Sequence, residues 1–261
     1  MGPTVASRLA PVSQSLTRCD ANLGSRRAAT SGKQAGERSK NASGAGHSRL
    51  KAKMSHTQSC HLLVADLWVM RGGRTVLRGV SLRLDAGQIG EVTGSNGVGK
   101  STLLRVIAGF LPPASGCASW NEWGAKDPAP LAERVHYVGH LDGLKSALTA
   151  RENLQFGLTL SGQARLPPRE ALDRVELAHV VDLPVGYLSA GQRRRVALAR
   201  LLVADRPLWL LDEPLTALDR AARVMLTDIV ADHLGRGGLV LAATHEPLGL
   251  PGTRELRLEA Q

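Results

Sequence analysis

Nine consecutive residues, Gly94-Ser95-Asn96-Gly97-Val98-Gly99-Lys100-Ser101-Thr102, carry the groups that phosphate chemistry needs. Gly94, Gly99, Lys100 and Ser101 fit the phosphate-loop pattern G-x-x-x-x-G-K-S/T. Glycines let backbone N–H groups crowd round phosphate oxygens, because no Cβ stands in the way. Lys100 brings a cation to the outer phosphates, where negative charge is densest, and the Ser101 hydroxyl suits magnesium. A glycine-rich turn alone says little, and its setting decides. Residues 89–93 fit a short strand, and Leu103, Leu104, Val106 and Ile107 then recur at helical spacing. A helix starting there aims the positive end of its dipole at the phosphates.

Farther along, Leu208-Trp209-Leu210-Leu211-Asp212-Glu213 is an apolar strand closing on two carboxylates. Without other context that is a solvated strand end. Behind a phosphate loop it reads differently. Asp212 becomes the carboxylate that holds magnesium, directly or through water. Glu213 is suited to polarise an attacking water beside the γ-phosphate.

The elements that must position these groups are legible as an α/β fold. Residues 61–84 alternate apolar and polar around Gly72-Gly73, which predicts an antiparallel β edge laid beside the phosphate-loop core. Residues 111–116 form a breaker cluster, and 134–138 read as a strand. Between 142 and 200 the period becomes helical. Leu154, Phe156, Leu158 and Leu160 predict one helix. Pro167-Pro168 starts another, with Ala171, Leu172, Val175, Ala178 and His179 on one face through Val181. This stretch is an inserted helical subdomain. Apolar strands then return at 208–211, 239–244 and 255–258, which predicts a mainly parallel sheet covered on both faces.

Composition narrows the function. Arg and Lys number 33 against 23 acidic residues, yet +8 of the +10 lies in residues 1–57. With 23 basic and 21 acidic residues, 58–261 is nearly neutral, so no nucleic-acid partner is expected. Residues 1–57 are Ser-, Ala-, Gly- and Arg-rich, and we expect a disordered basic extension. It reads as a targeting segment or as sequence upstream of a start at Met54; the latter is favoured, since no amphipathic Arg-bearing helix stands out. Cys19, Cys60 and Cys117 form no C-x-x-C pair, so no zinc site or disulfide framework is signalled and a reducing compartment is implied. No apolar run reaches the roughly 18 to 20 residues that span a bilayer.

The most specific stretch is Leu188-Ser189-Ala190-Gly191-Gln192, followed by Arg193-Arg194-Arg195 on what we read as a largely solvated helix face. Together with the phosphate loop, Asp212-Glu213, Thr216-Ala217-Leu218-Asp219 and His245, it resembles the ATP-binding cassette (RecA-like) ATPases over essentially all of 58–261. The resemblance implies ATP and Mg2+ as cofactors. It also implies a head-to-tail homodimer in which Ser189 and Gly191 contact the γ-phosphate held by the opposite subunit. In physical terms, a serine hydroxyl and free N–H groups at a helix start make an anion site. By the same resemblance Asp219 couples the two sites and His245 is the switch histidine on the γ-phosphate. Two positions depart from the common pattern. His140 stands where most members carry a magnesium-sensing glutamine. Arg71 stands where they carry an aromatic that stacks on adenine, and a guanidinium also stacks on a purine.

Residues 69–74, Gly139-His140 with Gly143-Leu144-Lys145, 148–154 and 188–201 resemble the ATPase subunit of the cytochrome c maturation haem exporter. That likeness implies an ATPase docked on integral membrane subunits at the cytoplasmic face of the bacterial inner membrane, powering release of a haem-loaded chaperone. If 1–57 is a transit peptide, the mitochondrial inner membrane takes its place. The alternatives are the ATPase of another exporter, or a soluble cassette ATPase acting on nucleic acid or ribosomes.

Overall fold

A computed structural model describes residues 60–122, 130–161 and 164–259. The expected basic extension, 1–57, lies outside the described residues. Two sheets organise the rest. The first is antiparallel, with β1 (Cys60–Arg71) between β2 (Arg74–Asp85) and β4 (Ser115–Glu122). Gly72 and Gly73 turn β1 into β2, and Arg71 pairs with Arg74 at the tip.

The second sheet is parallel throughout, in the order β5-β6-β7-β3-β8. Its strands are β3 (Ile89–Thr93), β5 (Val135–Val138), β6 (Leu208–Asp212), β7 (Leu239–Ala243) and β8 (Arg254–Arg257). The α/β class expected from sequence, a parallel core with an antiparallel edge, is the one observed. Alternate side chains of β6 and β7 enter different cores, as the two-residue strand period requires. Leu208, Leu210, Leu239 and Leu241 pack with Leu103, Leu104 and Ile107 of α1 (Lys100–Ile107) and with the antiparallel sheet. Trp209, Leu211, Val240 and Ala242 pack with α5 (Ala190–Val203) and α6 (Arg220–Gly235). With both faces buried, every residue of β6 and β7 is inside, so these strands read as continuous apolar runs.

Three expectations are corrected. β4 begins inside the breaker cluster, at Ser115, and was not foreseen. Its Gly116 passes so close to β1 that a Cβ there would lie 2.1 Å from the Asp66 carbonyl oxygen. Residues 131–134, partly read as strand, include Arg134 at the end of a short helix, α2 (Leu131–Arg134).

The helix expected to run to Val181 stops early: α4 is Pro168–Arg174. Glu176 takes the left-handed conformation at φ 58. Glu176 N–H then donates to Asp173 O and Leu177 N–H to Leu172 O, a Schellman stop built without glycine. Leu177 and Val180 are buried in place of Ala178 and His179, which are exposed.

Before α4 comes α3 (Ala150–Ser161), opened by a capping box. Glu152 N–H donates to Thr149 Oγ1 and Thr149 N–H donates to Glu152 Oε2. The buried Asn153 side chain ties the preceding turn to α3 through Lys145 N–H and the carbonyls of Lys145, Leu148 and Thr149.

Candidate functional site

β3 runs directly into the glycine loop, and the loop into α1. Gly99 stands at the N-terminus of α1 with φ 114, a conformation that side chains other than glycine rarely adopt, and a Cβ there would strike Leu77. The parallel order places the C-terminal ends of β3, β6 and β7 side by side, which is where open α/β sheets form their clefts.

A cleft of about 760 Å³ lies there. Arg71, Asn96, Gly97, Gly99, Lys100, Ser101, Thr102, His140, Asp212, Glu213 and His245 line it, joined by Val76, Arg105 and Thr216. Gly94, Ser95 and Val98 belong to the same loop without lining the space. Trp68, three residues before Arg71, is directed elsewhere: its Nε1 donates to Asp66, and Arg78 lies over its ring. Among the described residues that line the cleft none is Phe, Tyr or Trp, and Arg71 and Val76 are part of the lining.

Inside the cleft the polar groups are interlocked. Lys100 Nζ donates to Gly94 O at 2.8 Å and Ser95 O at 3.1 Å, and lies 3.1 Å from His245 Nε2. An ammonium has only donors, so this last contact is bonding when Nε2 carries no proton. Glu213 Oε1 is 3.4 Å from the same nitrogen.

Ser101 Oγ donates to Asp212 Oδ1 at 2.9 Å. That is about the spacing of neighbouring oxygens in an octahedral shell at about 2.1 Å, so this hydroxyl and carboxylate fit magnesium, which prefers such hard oxygen ligands. Tyr137 OH donates to the other oxygen, Oδ2, at 3.2 Å. Burial raises the pKa of this phenol. Its hydrogen bond with Arg105 opposes the rise and the Asp212 charge supports it, so Tyr137 remains a donor. Tyr137 and Arg105 were not singled out from the sequence.

Glu213 sits at φ 49, off the end of β6, with its N–H bonded to Ala243 O on β7. His245 follows β7, so the β6–β7 pairing sets the distance between the two. His140 is exposed at the cleft wall.

Three expected nucleotide-binding residues are elsewhere. Ser189 caps α5: its Oγ accepts from Gln192 N–H, while Gln192 Oε1 accepts from Ser189 N–H. Gly191 lies against the Ala217 carbonyl, where a Cβ would approach to 3.1 Å. Asp219 caps α6 by accepting from Ala222 N–H at 2.8 Å. None of the three lines the cleft.

The run after Ser189 is also corrected. Arg194 is only 3% exposed, Arg193 donates to the Leu188 carbonyl, and Arg195 pairs with Glu176. A solvated face does not describe them.

Comparison with known proteins agrees with this architecture. Residues 77–216 match the ABC transporter family model. A cytochrome c biogenesis ATP-binding export protein CcmA from Chelativorans sp. (strain BNC1) is 52% identical over 190 residues, covering 73% of this chain and 94% of the relative. Its counterpart from Mesorhizobium japonicum is 49% identical over 197 residues, covering 76% and 97%. An ABC transporter ATP-binding protein from Pyrococcus furiosus superposes with TM-score 0.64 at 25% identity, covering 76% of this chain and 97% of that one. The cleft and the sheet beneath it are therefore those of a nucleotide-binding ATPase, and the chain belongs to the ABC transporter ATP-binding family and, within it, to the CcmA cytochrome c biogenesis export proteins.

Proposed function

We propose that this ATPase drives the export step of cytochrome c biogenesis as one half of a homodimer bound to integral membrane subunits. The observation that carries the reading is the convergence of Lys100, Ser101, Asp212, Glu213 and His245 on one cleft. ATP binds with its phosphates along 94–102 and its base between Arg71 and Val76. Ser101 and Asp212 hold Mg2+, which supplies charge neutralisation on the phosphates, and Thr102 and His140 border the same space. Glu213 accepts the proton of the attacking water, a role that requires a carboxylate within reach of that water. Lys100 leaves the Gly94 and Ser95 carbonyls for the outer phosphates, and His245 turns to the γ-phosphate.

Ser189 and Gly191 close the partner's cleft, and Asp219 relays between the two. A hydroxyl at the first turn of α5, exposed and outside its own cleft, supports that arrangement. No helix among the described residues is long and apolar enough to cross a membrane. The membrane subunits dock along 141–160, where Leu141 is 83% and Phe156 48% exposed. The chain sits on the cytoplasmic face of the inner membrane, and turnover releases a haem-loaded chaperone.

The test is a haem stain of c-type cytochromes in cells whose native gene carries Glu213→Gln. Loss of covalently attached haem, with the apocytochromes still made, is the expected result. Unchanged staining, in cells that lack a second copy and with ATPase activity gone, rejects the haem assignment and leaves the ATPase.

A further inference from the structure

The proposed function makes no use of Arg194. Its guanidinium, 3% exposed, is spent almost entirely on backbone. Nη1 donates to Gly139 O at 2.7 Å and to Asp142 Oδ1 at 3.1 Å. Nη2 donates to Asp212 O at 3.0 Å and Glu213 O at 2.7 Å. A planar fork holds such a set at fixed angles, which a single ammonium does not. Asp142 is the counter-charge that makes burial of this cation tolerable.

The carbonyls it holds belong to two functional segments. Asp212 ends β6 and Glu213 follows it at φ 49, a region where a residue with a side chain stays only if its surroundings hold it there. The Glu213 residue is held on both sides, its N–H donating to Ala243 O and its carbonyl accepting from Arg194. Gly139 precedes His140 directly, and Asp142 follows two residues later, so the same fork fixes the loop that brings His140 to the cleft. Arg194 itself rides on α5, five residues after the Ser189 cap.

The geometry points to Arg194 as a positioning residue for hydrolysis, a strut that fixes both the Glu213 turn and the His140 loop to the helix carrying Ser189. The inference rests on the role proposed for Glu213. Any displacement of α5 when two copies close on nucleotide is passed through this fork to the Glu213 backbone.

The experiment uses the full chain purified with its membrane subunits, comparing wild type with Arg194→Met, Arg194→Lys, Asp142→Asn and Glu213→Gln. Misplacing a reacting group by about 1 Å costs about 100-fold. Arg194→Met is accordingly expected to lower kcat about 100-fold, with Arg194→Lys intermediate and Asp142→Asn a few-fold below wild type. KM for ATP and affinity for a fluorescent nucleotide stay within about threefold, while amide hydrogen exchange at Glu213 and Leu215, which flank Pro214, accelerates.

Wild-type turnover by Arg194→Met overturns the proposal. So does a parallel loss of kcat, nucleotide affinity and thermal stability, which is the signature of a purely structural arginine. Should Arg194→Met fail to assemble, unchanged kcat in both Arg194→Lys and Asp142→Asn overturns it equally. Inactive wild type, or active Glu213→Gln, instead removes the reading on which it rests.

Discussion

The cleft and the start of α5 are built to different degrees of completeness. At the cleft, Lys100 already meets His245, and Ser101 meets Asp212, which Tyr137 also holds, so the chain alone assembles these groups. At the start of α5, the only partner of the exposed Ser189 hydroxyl among the described residues is its own helix. One surface is a site and the other is half of one. In the proposed homodimer, a nucleotide has a place to bind before a second copy arrives, while the groups at α5 gain a ligand only from that copy.

The sharpest way to break this contrast is to disable the cleft chemically while leaving its walls in place. Glu213→Gln keeps the volume and the backbone bonds to Ala243 and Arg194. Removing a general base typically costs about 10²–10⁴-fold in rate. Phosphate release should fall by that factor while nucleotide affinity stays unchanged. Retained hydrolysis would take Glu213 out of the reaction and leave the cleft as a binding site alone.

The second test separates two duties of Ser189. Aspartate caps helices as well as serine does, so Ser189→Asp should preserve thermal stability, whereas Ser189→Ala should cost about 1 kcal/mol. Against a partner's phosphate the new carboxylate is a like charge, worth several kcal/mol of repulsion. Hydrolysis by Ser189→Asp should then fall about 100-fold or more, with the affinity of the isolated chain for nucleotide unaltered. If both hydrolysis and stability survive, Ser189 is a cap and nothing else, and the half-site disappears.

A self-sufficient cleft also needs a rigid strand beneath it, and here pH is the probe. His233 on α6 is 5% exposed, stacked on Trp209 of β6 at 3.7 Å between ring centres. Burial, partly offset by the hydrogen bond to Pro207 O, pushes its pKa down to about 4. The folded chain thus binds this proton less readily than the unfolded chain, in which histidine titrates near 6.5. The stabilisation is complete above about pH 6.5 and is lost as pH falls toward 4, by about 1.4 kcal/mol per pH unit in that window. Denaturant midpoints between pH 7.5 and 5 should show the slope, and His233→Gln should flatten it. An identical slope in the variant would assign the acid sensitivity to other groups, His136 first, since burial pushes it down to about 3.

Much of this was legible in the sequence because the physics is local. The phosphate loop needs its glycines and Lys100 in fixed places. β6 and β7 are buried on both faces, so they had to be apolar up to Asp212. What was missed depended on distant partners. β4 was hidden because the feature that seats Gly116 is a carbonyl of β1, fifty residues earlier. α4 stops at a left-handed Glu176, a conformation that composition does not announce. Arg194 belonged to a run of three arginines of which at least two read as solvated. Its spacing to Leu198 and Leu201, both buried, places it on the inner face of α5, and that period was the available cue.

Asp219 offers the smallest effect and the finest division between the two surfaces. Its carboxylate caps α6 through Ala222 N–H, so Asp219→Ala should lose about 1 kcal/mol of stability whatever else the residue does. Asp219→Ser restores a capping oxygen on a shorter side chain and removes the charge. If Asp219 serves only its helix, the serine variant should match wild type in stability and in turnover alike. If it also relays between two clefts, stability should recover while the dependence of hydrolysis on ATP concentration loses its sigmoidal character, the Hill coefficient falling toward one. The cap is made inside one chain and the relay between two. A serine that rescues the first but not the second would show that Asp219, like Ser189, has its single-chain partner in its own helix and its functional one in another copy.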